Sequence, residues 1–196
     1  MRMNKVGTAM GKAETHFDLE AKAKVQRKKL HQGRIISLVE DRVEYADSQV
    51  KIFDLVFHPG AVAMIPIDSS GKIILVRQWR RAANQILTEL PAGTLEGNED
   101  PAECAQRELR EEIGMEAKEI VSLGNFFTAP GFCSECIHLY LAKELRSNPL
   151  VAEDTDEIDT YALTLDEALD QIDEGKIIDA KTIAGIYRYN RILEKT

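Results

Sequence analysis

Residues 89–115, ELPAGTLEGNEDPAECAQRELREEIGM, limit what this chain can become more than any other stretch. A loop broken by Pro91, Gly93 and Gly97 leads to Asp100, a residue suited to cap a helix. Pro101 stands at the first helical position and Glu103 three residues past the cap. Ala102, Ala105, Leu109 and Ile113 then recur at three- and four-residue steps, so one face of the helix is apolar and needs a sheet to lie on. Gly114 ends the helix. Glu108 and Glu112 are four apart, with Glu111 beside them, so their carboxylates project together. Like charges at such spacings cost an isolated helix about 0.2–0.5 kcal/mol per pair. Compensating positive charge is therefore expected.

Carboxylates joined by a backbone carbonyl, that of Ala92, make the all-oxygen donor set that Mg²⁺ or Mn²⁺ takes. Such an ion would cancel the repulsion, bridge phosphate oxygens and lower the pKa of a bound water for an in-line displacement. Taken alone, an acidic helix face is more often simply solvated. The spacing of the whole segment is what favours the metal.

The net charge of −8 argues against a binder of nucleic acid or of anionic membranes. A chain of 196 residues has room for one well-buried core. No apolar run is long enough to cross a bilayer, and the charged N-terminus lacks the apolar centre of a signal peptide. Cys104, Cys133 and Cys136 are an odd, sparse set that fits a reducing compartment, so a cytoplasmic protein is expected. Cys133 and Cys136 form a C-x-x-C, yet no second pair completes a tetrahedral zinc site, and the two read as small residues beside a strand.

Along the chain, residues 1–32 read as an N-terminal arm, with a tail or a short helix. Residues 33–60 read as an antiparallel sheet built from RIISLVE, DRVEY and QVKIFDLVF, and residues 61–196 as the main domain. AVAMIPI and KIILVRQW flank the turn DSSG as an expected hairpin. EIVSLGNFF and CIHLYLAKEL are strand-like, and an acidic loop at 152–159 follows. Two helices close the chain, the first stopped by Gly175 and the second capped by Asp179.

The spacing of Gly93, Glu99, Arg107, Glu108, Leu109, Glu111, Glu112, Gly114 and Met115 resembles the Nudix box, G-x5-E-x7-R-E-U-x-E-E-x-G-U with U apolar, at every specified place. The resemblance implies an α/β fold: the Nudix α/β/α sandwich with a mixed sheet, here plus the N-terminal antiparallel sheet. It implies hydrolysis of a nucleoside diphosphate linked to another moiety. Glu108 and Glu112 are the implied metal ligands, supported by Glu111 and the Ala92 carbonyl, with Arg107 orienting a carboxylate such as Glu99. HPGAVAMIPID, RQWR, Pro130 in TAPGF and the closing helices resemble the ADP-ribose pyrophosphatase branch over about residues 33–193.

That branch implies Mg²⁺-dependent cleavage of ADP-ribose to AMP and ribose 5-phosphate by a homodimer joined through the N-terminal sheet. Alternatives of the same chemistry include GDP-mannose; an alternative of another class is a nucleotide sensor that hydrolyses nothing. Arg80 is the implied phosphate contact, with Arg77 and Pro130 beside the substrate path. Arg77 departs from the branch, which often has an acid there. Asp154 and Asp156 fall on the places of the general base and an extra metal ligand, Glu111 is a further catalytic carboxylate, and Glu153 or Glu157 are substitutes in the acidic loop. Phe53, Phe57 and Trp79 are candidates for stacking the base.

Overall fold

The computed structural model describes residues 15–151 and 158–195. In chain order its elements are α1 (His16–Lys22), β1 (Lys24–Gln32), β2 (Ser37–Glu44), β3 (Val50–Phe57), β4 (Ala61–Pro66), β5 (Ile73–Arg80), β6 (Gln85–Glu89), β7 (Ala92–Thr94), α2 (Pro101–Glu112), β8 (Met115–Phe127), β9 (Cys136–Ser147), β10 (Asp159–Leu163), α3 (Leu165–Asp173) and α4 (Ala180–Leu193). They form three sheets, ordered β1-β2-β3, β10-β5-β6 and β7-β4-β9-β8.

β4 lies between β7 and β9, buried at every residue, and its pairing with β9 is parallel while the other ladders are antiparallel. A strand covered on both faces is an unbroken apolar run, as AVAMIP is. Its pleat divides the interior. Val62 and Met64 pack with Cys104, Ala105 and Leu109 of α2. Ala61, Ala63 and Ile65 face the other way, towards Ile73 and Leu75 of β5, Ala168 of α3 and Ile186 of α4. The result is the expected α/β sandwich with a mixed central sheet.

The hairpin expected between β4 and β5 is only begun. Asp68 organises the turn, its Oδ1 accepting the N–H of Ser70 and of Lys72 at 2.8 and 2.9 Å, and a single bridge joins Ile67 to Ile73. Beyond that bridge the strands separate into different sheets, because β4 takes β9 and β7 as neighbours and β5 takes β10 and β6.

α4 comes very close to the sheet. Its cap Asp179 accepts the Thr182 N–H at 2.9 Å, and the Thr182 hydroxyl accepts the buried Leu90 N–H at 2.8 Å. One turn on, a Cβ at Gly185 would fall 2.5 Å from Leu90 Cδ1 and 3.3 Å from Leu139 Cδ1. Gly185→Ala is therefore expected to cost about 1–3 kcal/mol by overpacking, read as a lower denaturant midpoint at unchanged slope. An unchanged midpoint would show that the helix slides without cost.

The N-terminal sheet differs from its sequence boundaries. Residues 34–58 supply two strands rather than three, β2 spanning parts of both RIISLVE and DRVEY, and the third is β1, inside the segment read as an arm. β1 is exposed at every residue, so it lacks the alternation that marks a half-buried strand. Arg27 fixes it to β2 through a fork onto Asp41, both contacts 2.7 Å, and lies over the Phe57 ring. The far end of β3 is spliced to the loop at 128–135: the Val56 N–H donates to Phe132 O at 2.7 Å and the Ser134 N–H to Val56 O at 2.9 Å. No helix among the described residues is long and apolar enough to cross a membrane.

Candidate active site

The loop from Ala92 to Asp100 and the helix α2 are built as one piece. Asp100 Oδ1 accepts the N–H of Ala102 at 2.8 Å and of Glu103 at 3.4 Å, with Pro101 in the first turn. The strand β7 crosses the side of α2 at Gly93. There a Cβ would lie 1.8 Å from Glu108 Cδ and 1.9 Å from its Oε1, so the Glu108 carboxyl fills the space a side chain would need. Glycine is required at 93 for room, and Glu108 is buried as a consequence. Next door, the Ala92 N–H donates to Glu112 Oε2 at 2.9 Å.

Arg107 gathers the other acids. Its Nε and Nη2 fork onto Glu99 at 3.0 and 3.1 Å, the contact anticipated from the sequence, while Nη1 reaches Glu108 at 2.7 Å and Glu111 at 3.1 Å. This fork holds the Glu99 carboxyl at about 2, well below its ordinary value. Burial pushes the neighbouring Cys104 thiol up to about 12, so it stays protonated and offers no thiolate to a soft metal. The remaining donors are carboxylate and carbonyl oxygens, a set that fits a hard divalent cation. Among the described residues no three acidic, His or Cys side chains are already disposed around one point for an ion. One guanidinium partly neutralises three carboxylates, those of Glu99, Glu108 and Glu111, and the residual negative charge is what a divalent cation would offset.

Two cavities meet at this loop. The first, about 790 Å³, is lined by Glu96, Arg107, Glu108, Glu111 and Glu112, with Arg34 from the β1–β2 turn and Gln78 from β5. The second, about 530 Å³, is lined by His58, Leu87, Thr128, Glu135, Ile137 and Lys181. They share Arg80, Ala92, Gly93 and Thr94. Each volume lies in the range of small-molecule sites. Gln78 Nε2 is buried and has no hydrogen-bond partner among the described residues.

The arginines predicted for the substrate part company. Arg80 stands at the junction of the two cavities, its Nε and Nη2 each 2.6 Å from an oxygen of Glu89. Arg77 is three residues back on the same strand, so the pleat turns it to the opposite face. There it pairs with Asp159 at 3.2 Å and lies 5.7 Å from the Tyr161 ring, and it lines neither cavity. Pro130 lines neither cavity; Thr128 and Glu135 of the same loop line the second. Asp154 and Asp156, with Glu153 and Glu157, lie outside the described residues. Of the stacking candidates, Phe57 is taken up by Arg27, while Phe53 and Trp79 are exposed and line neither cavity.

Two members of the site escaped the sequence. Glu89 is fully buried at the end of β6, and Lys181, in the first turn of α4, pairs with it and with Asp179. The signal for Glu89 was an acid closing the strand run QILTE; Lys181 gave none, since a lysine two residues past a helix cap is ordinary.

Cys133 and Cys136 are free, half-buried thiols in the loop spliced to β3 and at the start of β9. Replacing both by serine is expected to leave metal content and activity nearly unchanged. Stoichiometric zinc in the unmodified protein would contradict this.

The NUDIX domain matches residues 57–185. Over 164 residues the chain is 41% identical to the methanol dehydrogenase activator of Bacillus methanolicus, covering 83% of this chain and 89% of that one. It is 37% identical to the ADP-ribose pyrophosphatase of Bacillus subtilis (strain 168) over the same length and the same shares. A crystal structure of an ADP compounds hydrolase superposes with a TM-score of 0.80 at 18% identity, over 89% of this chain and 95% of that one, a likeness of fold.

Proposed function

The chain belongs to the Nudix hydrolase family, and on that premise we propose that it hydrolyses the diphosphate bond of ADP-ribose, releasing AMP and ribose 5-phosphate. The observation that carries this reading is the junction of two cavities at Gly93, with the carboxylates of α2 on one side and Arg80 on the other. A diphosphate at the junction would have room for one half of a nucleotide sugar in each chamber. Similarity to an ADP-ribose pyrophosphatase supports the choice of substrate.

Glu108 and Glu112, with Glu111 and the Ala92 carbonyl, would hold Mg²⁺, and Asp156 would add a ligand from the acidic loop. Held there, such an ion would supply positive charge to the diphosphate oxygens and would lower the pKa of the attacking water. The chain's own groups do the rest. Arg80 binds a phosphate oxygen and Arg107 keeps the acids of α2 aligned through Glu99. A carboxylate, Asp154 or Glu111, accepts the proton of the attacking water. Exposed Val25, Leu30, Val50, Ile52 and Phe53 on the outer sheet support a homodimer formed through β1–β3, to be read as mass by light scattering. The free thiols accord with a cytoplasmic location.

The test is a panel of ADP-ribose, GDP-mannose and other nucleotide sugars with Mg²⁺, compared by kcat/KM, followed by cleavage of the best substrate in isotopically labelled water. ADP-ribose should lead the panel, and the label identifies the phosphorus attacked. A lead by GDP-mannose would move the assignment to that sugar nucleotide; binding without cleavage of any member would make the chain a sensor.

A further inference from the structure

The buried acid at the edge of the substrate cavity has no place in the chemistry derived so far. Glu89 is wholly removed from solvent, in a position where an uncompensated carboxylate costs several kcal/mol. It receives two cations from different layers of the fold. Arg80 arrives along β5: Glu89 stands opposite Val76, on the face shared by Val76, Gln78 and Arg80, and the guanidinium reaches back over two pleats to it. Lys181 arrives from α4, bonded to Glu89 and 3.1 Å from the helix cap Asp179. Burial raises the Glu89 carboxyl, and the bonds and charges of Arg80 and Lys181 outweigh it, so the group stays ionised and the net shift is downward.

Both cations border the second cavity, and their shared anion sits between them in the same wall, wholly removed from solvent. Arg80 spends Nε and Nη2 on Glu89; among the described residues nothing bonds its Nη1, and the side chain is partly exposed where the two cavities meet. A fork held from behind by a rigid carboxylate has one orientation left for its outer edge. Resting on the reading of Arg80 as a phosphate contact, we infer that Glu89 and Lys181 are positioning residues: Glu89 aims Arg80 at the diphosphate, and Lys181, anchored on α4, keeps Glu89 in place and adds a second positive charge to the same wall. Substrate affinity is thereby tied to the docking of the C-terminal helix.

The test is a mutant cycle read by calorimetry with ADP, which the enzyme need not cleave. The proteins are the unmodified chain, Arg80→Ala, Glu89→Gln and the double variant, with Lys181→Met and Lys181→Arg alongside. Glu89→Gln should weaken ADP binding about tenfold, within the coupling range for side chains in contact. The loss should nearly vanish in the Arg80→Ala background. Lys181→Met should weaken binding and Lys181→Arg restore most of it. For hydrolysis, Glu89→Gln should raise KM more than it lowers kcat. Thermal melting of each variant is read first. Should Glu89→Gln not fold, the cycle is run between Arg80→Lys and Lys181→Met, whose double variant still leaves Glu89 one paired cation. Additive losses, or ADP affinity untouched by Arg80→Ala, would overturn the inference. A cycle that behaves as described in a protein that cleaves no ADP-ribose would overturn the proposed substrate and leave the positioning role standing.

Discussion

Glu112→Gln is expected to lower turnover by about three orders of magnitude with the fold intact. The amide keeps an oxygen that accepts the Ala92 N–H, now bonded at 2.9 Å, so the contact between loop and helix survives. What is lost is one negative charge of the donor set, and with it the affinity of the oxygen cluster for a hard cation. Losing several kcal/mol of charge stabilisation at the reacting phosphorus corresponds to about a thousandfold, at about 1.4 kcal/mol per tenfold. Turnover at saturating Mg²⁺ and metal affinity by calorimetry are the two measurements. A variant as fast as its parent at high Mg²⁺ would remove Glu112 from the site.

Gly93→Ala is the second large effect, and its cause is purely steric. The new methyl would stand 1.8, 1.9 and 2.4 Å from Cδ, Oε1 and Oε2 of Glu108, distances that no pair of atoms tolerates. Either the Glu108 carboxyl leaves its place or β7 shifts from α2. Both displace an acid of the cluster by about an ångström or more, a misplacement that costs about a hundredfold in rate, together with about 1–3 kcal/mol of overpacking. Activity and melting temperature should fall together, whereas in Glu112→Gln activity falls alone. If Gly93→Ala kept both, the carboxyl would have somewhere else to go and the tight crossing would have no function.

These two residues also show what a linear sequence reveals here. The capped helix, its apolar face and its glutamates repeat locally, at three, four and seven residues, and helix spacing alone places them. The central strand is legible because it is apolar throughout. Strand β1 was hidden because a fully exposed strand carries no burial pattern. Arg77 was grouped with Arg80 because charge counting along a strand ignores the pleat, which sends them to opposite faces. Glu89 and Lys181 were hidden for another reason: 92 residues separate them, and only the packing of α4 on β6 brings them together. Chemistry carried by one element was readable, and chemistry shared between distant elements was not.

The unfinished pairing of β4 with β5 has a consequence for where a ligand can enter. Continued from the Ile67–Ile73 bridge, an antiparallel register would bring Ala61 opposite Trp79, next to Arg80, and main-chain bonds would weld that end shut. The two strands instead diverge like the blades of opened shears, and Ala61 and Arg80 both line one cleft. The mouth of the enzyme is thus made by a seam that stops short, and its width is set by the neighbours each blade has chosen.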